Sequence, residues 1–395
     1  MVVGQQYKNM EKITFCIPSK SNLRYLKTCI PSIRNNASRS DHEIIIFVDQ
    51  DEDGTIDWLE ENKDKYNLTW IVNPMLKYGT IYGIGRAYDA CIEKSTTDVF
   101  MIFHADMILG HNADLLAYNH LEEGTIVAST RIEPPLHPNG GEKILKAFGM
   151  YPEEFNEKIF GEFVEQSANI DKTTNGIFAP WMMHKSDHQN IGGHDPRMHS
   201  CREDSDIFNR MSLAGYKFIQ PWNSLVYHFT GRGAGSFSED KARHKAWKVQ
   251  METSTREYIR KWKSSVKHTA LMEPIIAPIY NMAIVVKNCN TQLLTALEPW
   301  SHNVYVDCDY YEYIAQEKDN TIDDLFEKIK SIDEKPKNDI LINIDGSTFN
   351  NQDFQFLQQI GDIIKNSGQI GKSKLGNILI EINQLNEIQN ELCKM

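Results

Sequence analysis

Apolar, largely β-branched runs recur through the first hundred residues, at positions 13–17, 43–48, 69–72 and 99–103, and each predicts a short strand. The segments between them have helical periodicity. Ser21 or Asn22 can cap a helix running towards Asn35, Thr55 opens one through Trp58 and Leu59, and residues 84–93 supply a third. Alternating strand and helix predicts an α/β fold, a mainly parallel sheet covered on both faces, with ligands beyond the carboxyl ends of the strands. Residues 238–264 read as one long helix with Trp247, Met251, Tyr258 and Trp262 on a single stripe. After Glu273-Pro274 the rhythm starts again. Strands are expected at 283–286, 303–307, 340–344 and 377–382, and helices at 322–332 and 352–366. The expected division is therefore a larger domain over residues 1–273 and a smaller α/β domain over 274–395.

Composition narrows the function classes. The 395 residues are 41% hydrophobic and 10% aromatic, enough for two buried cores. With 54 acidic and 42 basic residues the net charge is −12, which works against non-specific attraction to nucleic acid or an anionic membrane. Any polyphosphate binding has to be local. One stretch, residues 232–273, reverses the balance with ten Lys/Arg against five Asp/Glu, whereas residues 303–395 hold nine basic against seventeen acidic residues. Seven scattered cysteines without a CxxC pair argue against a disulfide framework or a cysteine-ligated structural zinc site, and fit a reducing compartment. The start of the chain lacks the apolar run of a signal peptide, and no stretch of about 18 apolar residues occurs. A cytoplasmic protein without a transmembrane segment or a nucleic-acid partner is expected.

Three constellations carry chemistry. The strand at 99–103 runs into His104-Ala105-Asp106, whose alternate side chains can project the same way and share a divalent cation. A hundred residues on, Glu203, Asp204 and Asp206 crowd the start of a helix marked by Ile207, Phe208, Met211 and Leu213 and ended by Ala214-Gly215-Tyr216. Capping and the helix dipole need one acid there, not three. Finally, His228 ends a short apolar strand before a loop containing Gly231, Gly233, Gly235 and Arg232. Such a loop can close over a phosphate, with Arg232 as bidentate donor.

The order of these signals resembles the family 2 glycosyltransferases of the GT-A fold. Pro18-Ser19 after the first strand, Val48-Asp49 after the second, Gly83 to Ala87 opening a helix and the acid after residue 103 all fall in sequence. Ile191-Gly192-Gly193-His194-Asp195 is similar to the family's glycine turn, Glu203-Asp204 to its acidic pair, and residues 258–262 to its aromatic-basic tail. The resemblance covers residues 12–263. It implies that Pro18, Ser19, Asp49, Gly83 and Arg86 contact the nucleotide, that Asp106 binds metal and diphosphate, and that His228 is a further metal ligand. It also implies Asp204 as catalytic base, with Glu203 positioning it. His104 stands where the family has the first acid of Asp-x-Asp, so it either ligates the metal or hydrogen-bonds the donor.

The expected activity is an inverting transfer of a hexosyl or N-acetylhexosaminyl group from a nucleoside-diphosphate sugar, expected to be a UDP-sugar, to a glycan or other hydroxyl acceptor. The mixed carboxylate and imidazole ligand set suits Mn²⁺, or Mg²⁺. Two other readings are weighed. A sugar nucleotidyltransferase would need a basic, glycine-rich loop after the first strand, where Cys16-Ile17-Pro18-Ser19-Lys20 stands. A non-catalytic carbohydrate- or nucleotide-binding protein on the same fold is motivated by the missing first acid.

Overall fold

A computed structural model describes residues 10–78, 80–231 and 241–394. Arg232, Gly233, Gly235 and the start of the long helix expected from residue 238 lie outside the described residues. The chain separates into two compact units. One takes the described residues up to Gln250 together with His268–Pro274, and the other takes Met251–Lys267 and Ile275–Cys393. No helix among the described residues is long and apolar enough to cross a membrane.

The first unit opens with β1 (Thr14–Lys20), α1 (Leu23–Asn36), β2 (Glu43–Gln50), α2 (Thr55–Tyr66), β3 (Leu68–Val72), α3 (Ile84–Lys94) and β4 (Val99–Ile102). This is the rhythm expected from the hydrophobic runs. Strands β3, β2, β1 and β4 lie side by side, all parallel. Phe15, Cys16 and Ile17 of β1 and Ile44 to Val48 of β2 are all buried. Helices cover both faces of a parallel sheet, which is why these strands read as continuous apolar runs rather than alternating ones.

The chain continues through β5 (Met107–Leu109), α4 (Ala113–Tyr118), β6 (Thr125–Ala128), β7 (Thr130–Glu133), β8 (Lys143–Leu145), α5 (Glu157–Ser167), β9 (Thr173–Thr174) and β10 (Trp181–His184). It then forms α6 (Lys185–Asn190), α7 (Glu203–Leu213), β11 (Lys217–Pro221), β12 (Leu225–His228) and α8 (Lys241–Trp262). β10, β6, β11 and β9 extend the main sheet to eight strands, with β10 antiparallel to both β4 and β6. A second sheet, in the order β5-β12-β7-β8, has its own aromatic core of Tyr25, Phe148, Phe160, Tyr227 and Phe229. Alternation along β12 decides which way His228 faces. Leu225, Tyr227 and Phe229 belong to that aromatic core, whereas Val226, two residues before His228, packs with the core of the main sheet.

Within α8, Tyr258 and Trp262 are buried, while Trp247 and Met251 are only partly covered. The second unit carries β13 (Met282–Lys287), α9 (Thr291–Leu297), β14 (Asn303–Val306), α10 (Tyr311–Glu317), α11 (Leu325–Lys328), β15 (Ile329–Ser331) and β16 (Ile340–Asp345). It ends with α12 (Asn351–Gln358), α13 (Ile360–Ser367), β17 (Gly371–Leu375) and β18 (Ile378–Ile382). Its sheet runs β15-β14-β13-β16-β18-β17, with the first four strands parallel. Two expected helices are corrected. Residues 322–332 give only one turn of helix before β15, because Ile329 is fully buried against Val304 in the sheet. Residues 352–366 form two helices broken at Gln359.

One buried ion pair fixes the entry to the acidic helix. Arg210 of α7 is wholly buried and donates from Nε to Asp206 Oδ2 at 2.8 Å, from Nη1 to the Ile191 carbonyl at 2.7 Å and from Nη2 to the Gly193 carbonyl at 2.5 Å. The start of α7 and the glycine turn are thus tied by one guanidinium. Replacing Arg210 with Met removes this ion pair from the buried Asp206 carboxylate, and the expected cost is about 3–5 kcal/mol. Chemical denaturation of the full chain checks this; a loss below about 1 kcal/mol would mean the pair is dispensable.

Candidate active site

The carboxyl ends of β1, β2 and β4 lie on one edge of the main sheet, and the expected site residues follow from them. After β4 come His104 and Asp106, then β5. β5 pairs antiparallel with β12 so that Met107 opposes His228, and the Phe229 amide donates to the Asp106 carbonyl at 3.1 Å. The strand register therefore sets His228 beside Asp106. His104 Nδ1 stands 3.5 Å from His228 Nε2, which is 3.4 Å from Asp106 Oδ1. One ligand atom from each of the three residues lies within 4.8 Å of the others.

The other side of β12 adds residues that sequence patterning did not single out. β7 runs parallel to β12, with Arg131 beside Val226 and Ile132 beside Tyr227, which brings Glu133 next to His228. His228 Nδ1 is 3.0 Å from Glu133 Oε1. With Nδ1–H donated to Glu133, a cation that displaced the Nε2 proton would meet a lone pair facing Asp106 and His104, the arrangement by which an outer carboxylate orients a metal-binding histidine. Glu133 is itself paired with Arg131 at 2.8 Å and Lys143 at 3.1 Å, and Arg131 lies 4.0 Å over the Phe178 ring. The signal for this group was Thr-Arg-Ile-Glu, where two charged side chains share one face of a strand.

Electrostatics separate the two imidazoles. Burial, with the charge of His228, pushes His104 down to about 4. Burial opposes the charging of His228 too, but the Asp106 and Glu133 carboxylates outweigh it and hold it up at about 9. The Asp106 carboxyl is pulled below its ordinary range by His228 despite its burial. The donor set of two imidazoles and one carboxylate, with one histidine oriented from behind, fits a divalent cation of the Mn²⁺ or Zn²⁺ type.

The acidic helix behaves differently. α7 starts at Glu203, and its N-cap is Arg202, in the left-handed region at φ 72°, with no side-chain cap. Asp204 is thus not the capping residue. Its Oδ1 accepts from the Ser205 amide at 2.6 Å and from the Ser205 hydroxyl at 3.2 Å. Asp195 pairs with Arg197 at 2.7 Å and Asp206 with Arg210 at 2.8 Å, while among the described residues Asp204 has no ion-pair partner. Glu203 is kept protonated: burial, then the charge of Asp204, pushes it up to about 8. Its Oε2 is buried without a hydrogen bond among the described residues. The charge of Asp204 acts on Arg131, the partner of Glu133, so the start of α7 shares the electrostatic surroundings of the histidine cluster.

The residues expected at the nucleotide form a separate group. Asp49 Oδ1 accepts from Asn73 Nδ2 at 2.8 Å and from the Tyr82 amide at 2.7 Å. Tyr82 stacks on Phe47 at 4.8 Å and carries the exposed Arg86 guanidinium 4.1 Å over its face. Gly83 opens α3 at φ +99°, and a Cβ there would stand 2.9 Å from the His199 carbonyl oxygen, so the position requires glycine. Pro18 is half-buried, and the Ser19 hydroxyl is buried with no hydrogen-bond partner among the described residues.

Residues 14–192 match the family model described as Glycosyl transferase family 2. The first unit is an α/β domain built on a mainly parallel sheet, and over those residues it resembles that family. Among solved structures, the chain is similar to the mannosyltransferase PcManGT from Pyrobaculum calidifontis in complex with GDP-Man and Mn²⁺. That match has 13% identity and a TM-score of 0.43, over 63% of this chain and 63% of that one. It is also similar to S. aureus TarS, with 9% identity and a TM-score of 0.42, over 63% of this chain and 44% of that one. The chain thus spans less than two thirds of the length of either structure. No curated protein matches it.

The protonated Glu203 gives a pH test with a fixed sign. The native state keeps a proton up to about pH 8 that the unfolded chain sheds near 4.5, so stability falls as pH rises through that window. Glu203→Gln stays neutral throughout. In metal-free buffer the variant should gain stability relative to the natural chain as pH rises from 5 to about 8. Denaturation midpoints at several pH values check this, and a constant difference would place the raised ionisation elsewhere.

Proposed function

We propose that the first unit transfers a sugar from a nucleoside-diphosphate sugar, a UDP-sugar in the first instance, to the hydroxyl of a glycan or other acceptor with inversion at the anomeric carbon. The observation that carries this reading is the convergence of His104, Asp106 and His228 after β4 and β12, in the electrostatic surroundings of the start of α7. The transferred group is a hexosyl or N-acetylhexosaminyl unit.

The roles follow from what each group has free. Asp49, with Tyr82 and Arg86 beside it, holds the nucleoside, and the orphan Ser19 hydroxyl gives a buried donor at the end of β1. Asp106, His228 and His104 would hold the cation, Mn²⁺ or Mg²⁺, which when bound neutralises charge on the departing diphosphate. Asp204 accepts the proton of the acceptor hydroxyl as its oxygen attacks the anomeric carbon from the face opposite the leaving group, so the configuration inverts. Asp195 and Asp206 are each paired with an arginine and Glu203 already carries a proton, whereas Asp204 has no ion-pair partner among the described residues. Glu203 positions it.

Two sets of variants test these roles. Asp106→Ala should abolish Mn²⁺-dependent UDP affinity in calorimetry and His228→Ala should weaken it; an unchanged metal titration in both would remove the metal site. Asp204→Asn keeps an acceptor for the Ser205 amide but cannot take a proton at neutral pH. It should preserve the fold and UDP-Mn²⁺ affinity while initial-rate transfer drops by roughly 10²–10⁴-fold. Natural turnover in that variant would make the carboxylate structural.

A further inference from the structure

A second cluster of metal-type donors shares no residue with the first. Asp89 of α3, His188 of α6 and His194 of the glycine turn each offer one ligand atom within 4.8 Å of the others. Asp89 Oδ1 lies 2.6 Å from His194 Nδ1 and 3.1 Å from His188 Nε2, while Oδ2 accepts from the His194 amide at 2.9 Å. Both imidazoles therefore meet one carboxylate oxygen. The two rings are buried, and the Asp89 side chain is 30% exposed, so solvent reaches the cluster from the carboxylate side.

The two histidines converge on Asp89 Oδ1 from different elements, His194 Nδ1 hydrogen-bonded to it and His188 Nε2 fully buried 3.1 Å away. A cation held by Nε2 of His188, Nδ1 of His194 and the Asp89 carboxylate would use all three donors, with water from the exposed side as the fourth ligand.

The surroundings hold the donors in place. His188 packs edge-on against Phe100 at 5.3 Å, and His194 lies against Tyr88 at 5.9 Å. The backbone closes in as well. A Cβ at Gly85 would stand 2.8 Å from His194 Cβ, and one at Gly193, where φ is +73°, would stand 3.0 Å from Asp89 Oδ2. Only a chain with glycine at both positions brings α3 and the turn this close.

We propose that Asp89, His188 and His194 form a second divalent-cation site, of the class that Zn²⁺ occupies, which fastens α3 and α6 to the glycine turn that carries Asp195. Imidazole-rich sites with one carboxylate favour Zn²⁺ over Mg²⁺, and the donors here lie on α3, α6 and the glycine turn and share none with the first cluster.

The test separates this site from the first cluster. In full-length Asp106→Ala, where the first cluster has lost its carboxylate, native mass spectrometry with added Zn²⁺ should count at least one zinc per chain. Adding His188→Gln should remove that zinc or weaken it by more than the roughly 10–100-fold that loss of an outer-shell partner costs. Circular dichroism establishes that the variant is folded. If His188→Gln fails to fold, Asp89→Asn, which keeps an oxygen for the His194 amide, takes its place and should show the same loss. An Asp106→Ala chain that binds no zinc overturns the site. So does zinc retained at undiminished affinity in a folded His188→Gln or Asp89→Asn chain, which would leave the three residues as a hydrogen-bonded cluster.

Discussion

His228 sits between two carboxylates, and the rest of the candidate site depends on that placement. On one side Asp106 Oδ1 lies 3.4 Å from Nε2, and on the other Glu133 Oε1 lies 3.0 Å from Nδ1. The position is set by backbone pairing, since β12 is held antiparallel to β5 and parallel to β7. A one-residue slip in either register would turn His228 into the aromatic core and bring Tyr227 to the polar side. The small second sheet, not the large one, thus carries the precision of the site, and Tyr227 anchors it by donating its hydroxyl proton to the Gly149 carbonyl at 2.5 Å.

The distribution of buried charge explains which acids remain available for chemistry. Arg131, Glu133, Glu142 and Lys143 form a nearly closed network behind His228, and Arg197 and Arg210 neutralise Asp195 and Asp206. Burying so many ions adds little net stability but fixes where each one points, because breaking any pair strands a charge in a low-dielectric interior. Glu203 and Asp204, at the start of α7, have no ion-pair partner among the described residues. Burial, with the charge of the adjacent Asp204, keeps the proton on Glu203.

Much of this was legible in the sequence, and the misses have physical causes. The first four strands were readable because a parallel sheet buried on both faces demands unbroken apolar runs. His104, Asp106 and His228 stood out as polar residues ending such runs, and the structure brings them together. Glu133 did not stand out, because its partners are 10 and 95 residues away or on the same short strand, and only the pairing of β7 with β12 brings it to His228. The same applies to Asp89 and His188, which look like ordinary helix residues until α3, α6 and the glycine turn converge. Ile329 was mistaken for part of a helix because a three-residue strand at a sheet edge has too little pattern to outweigh the helical periodicity around it. The part of the site read from Arg232 lies outside the described residues.

In the function proposed, the domain turns over a nucleoside-diphosphate sugar with the help of a divalent cation held by His104, Asp106 and His228. The most direct measurement is release of the nucleoside diphosphate from a panel of UDP- and GDP-sugars by the full chain, with Mn²⁺ and again after chelation. The account predicts that at least one donor is hydrolysed or transferred with Mn²⁺ and that chelation stops it. Turnover that survives chelation unchanged, or no nucleotide released from any donor by folded, Mn²⁺-loaded protein, would contradict it.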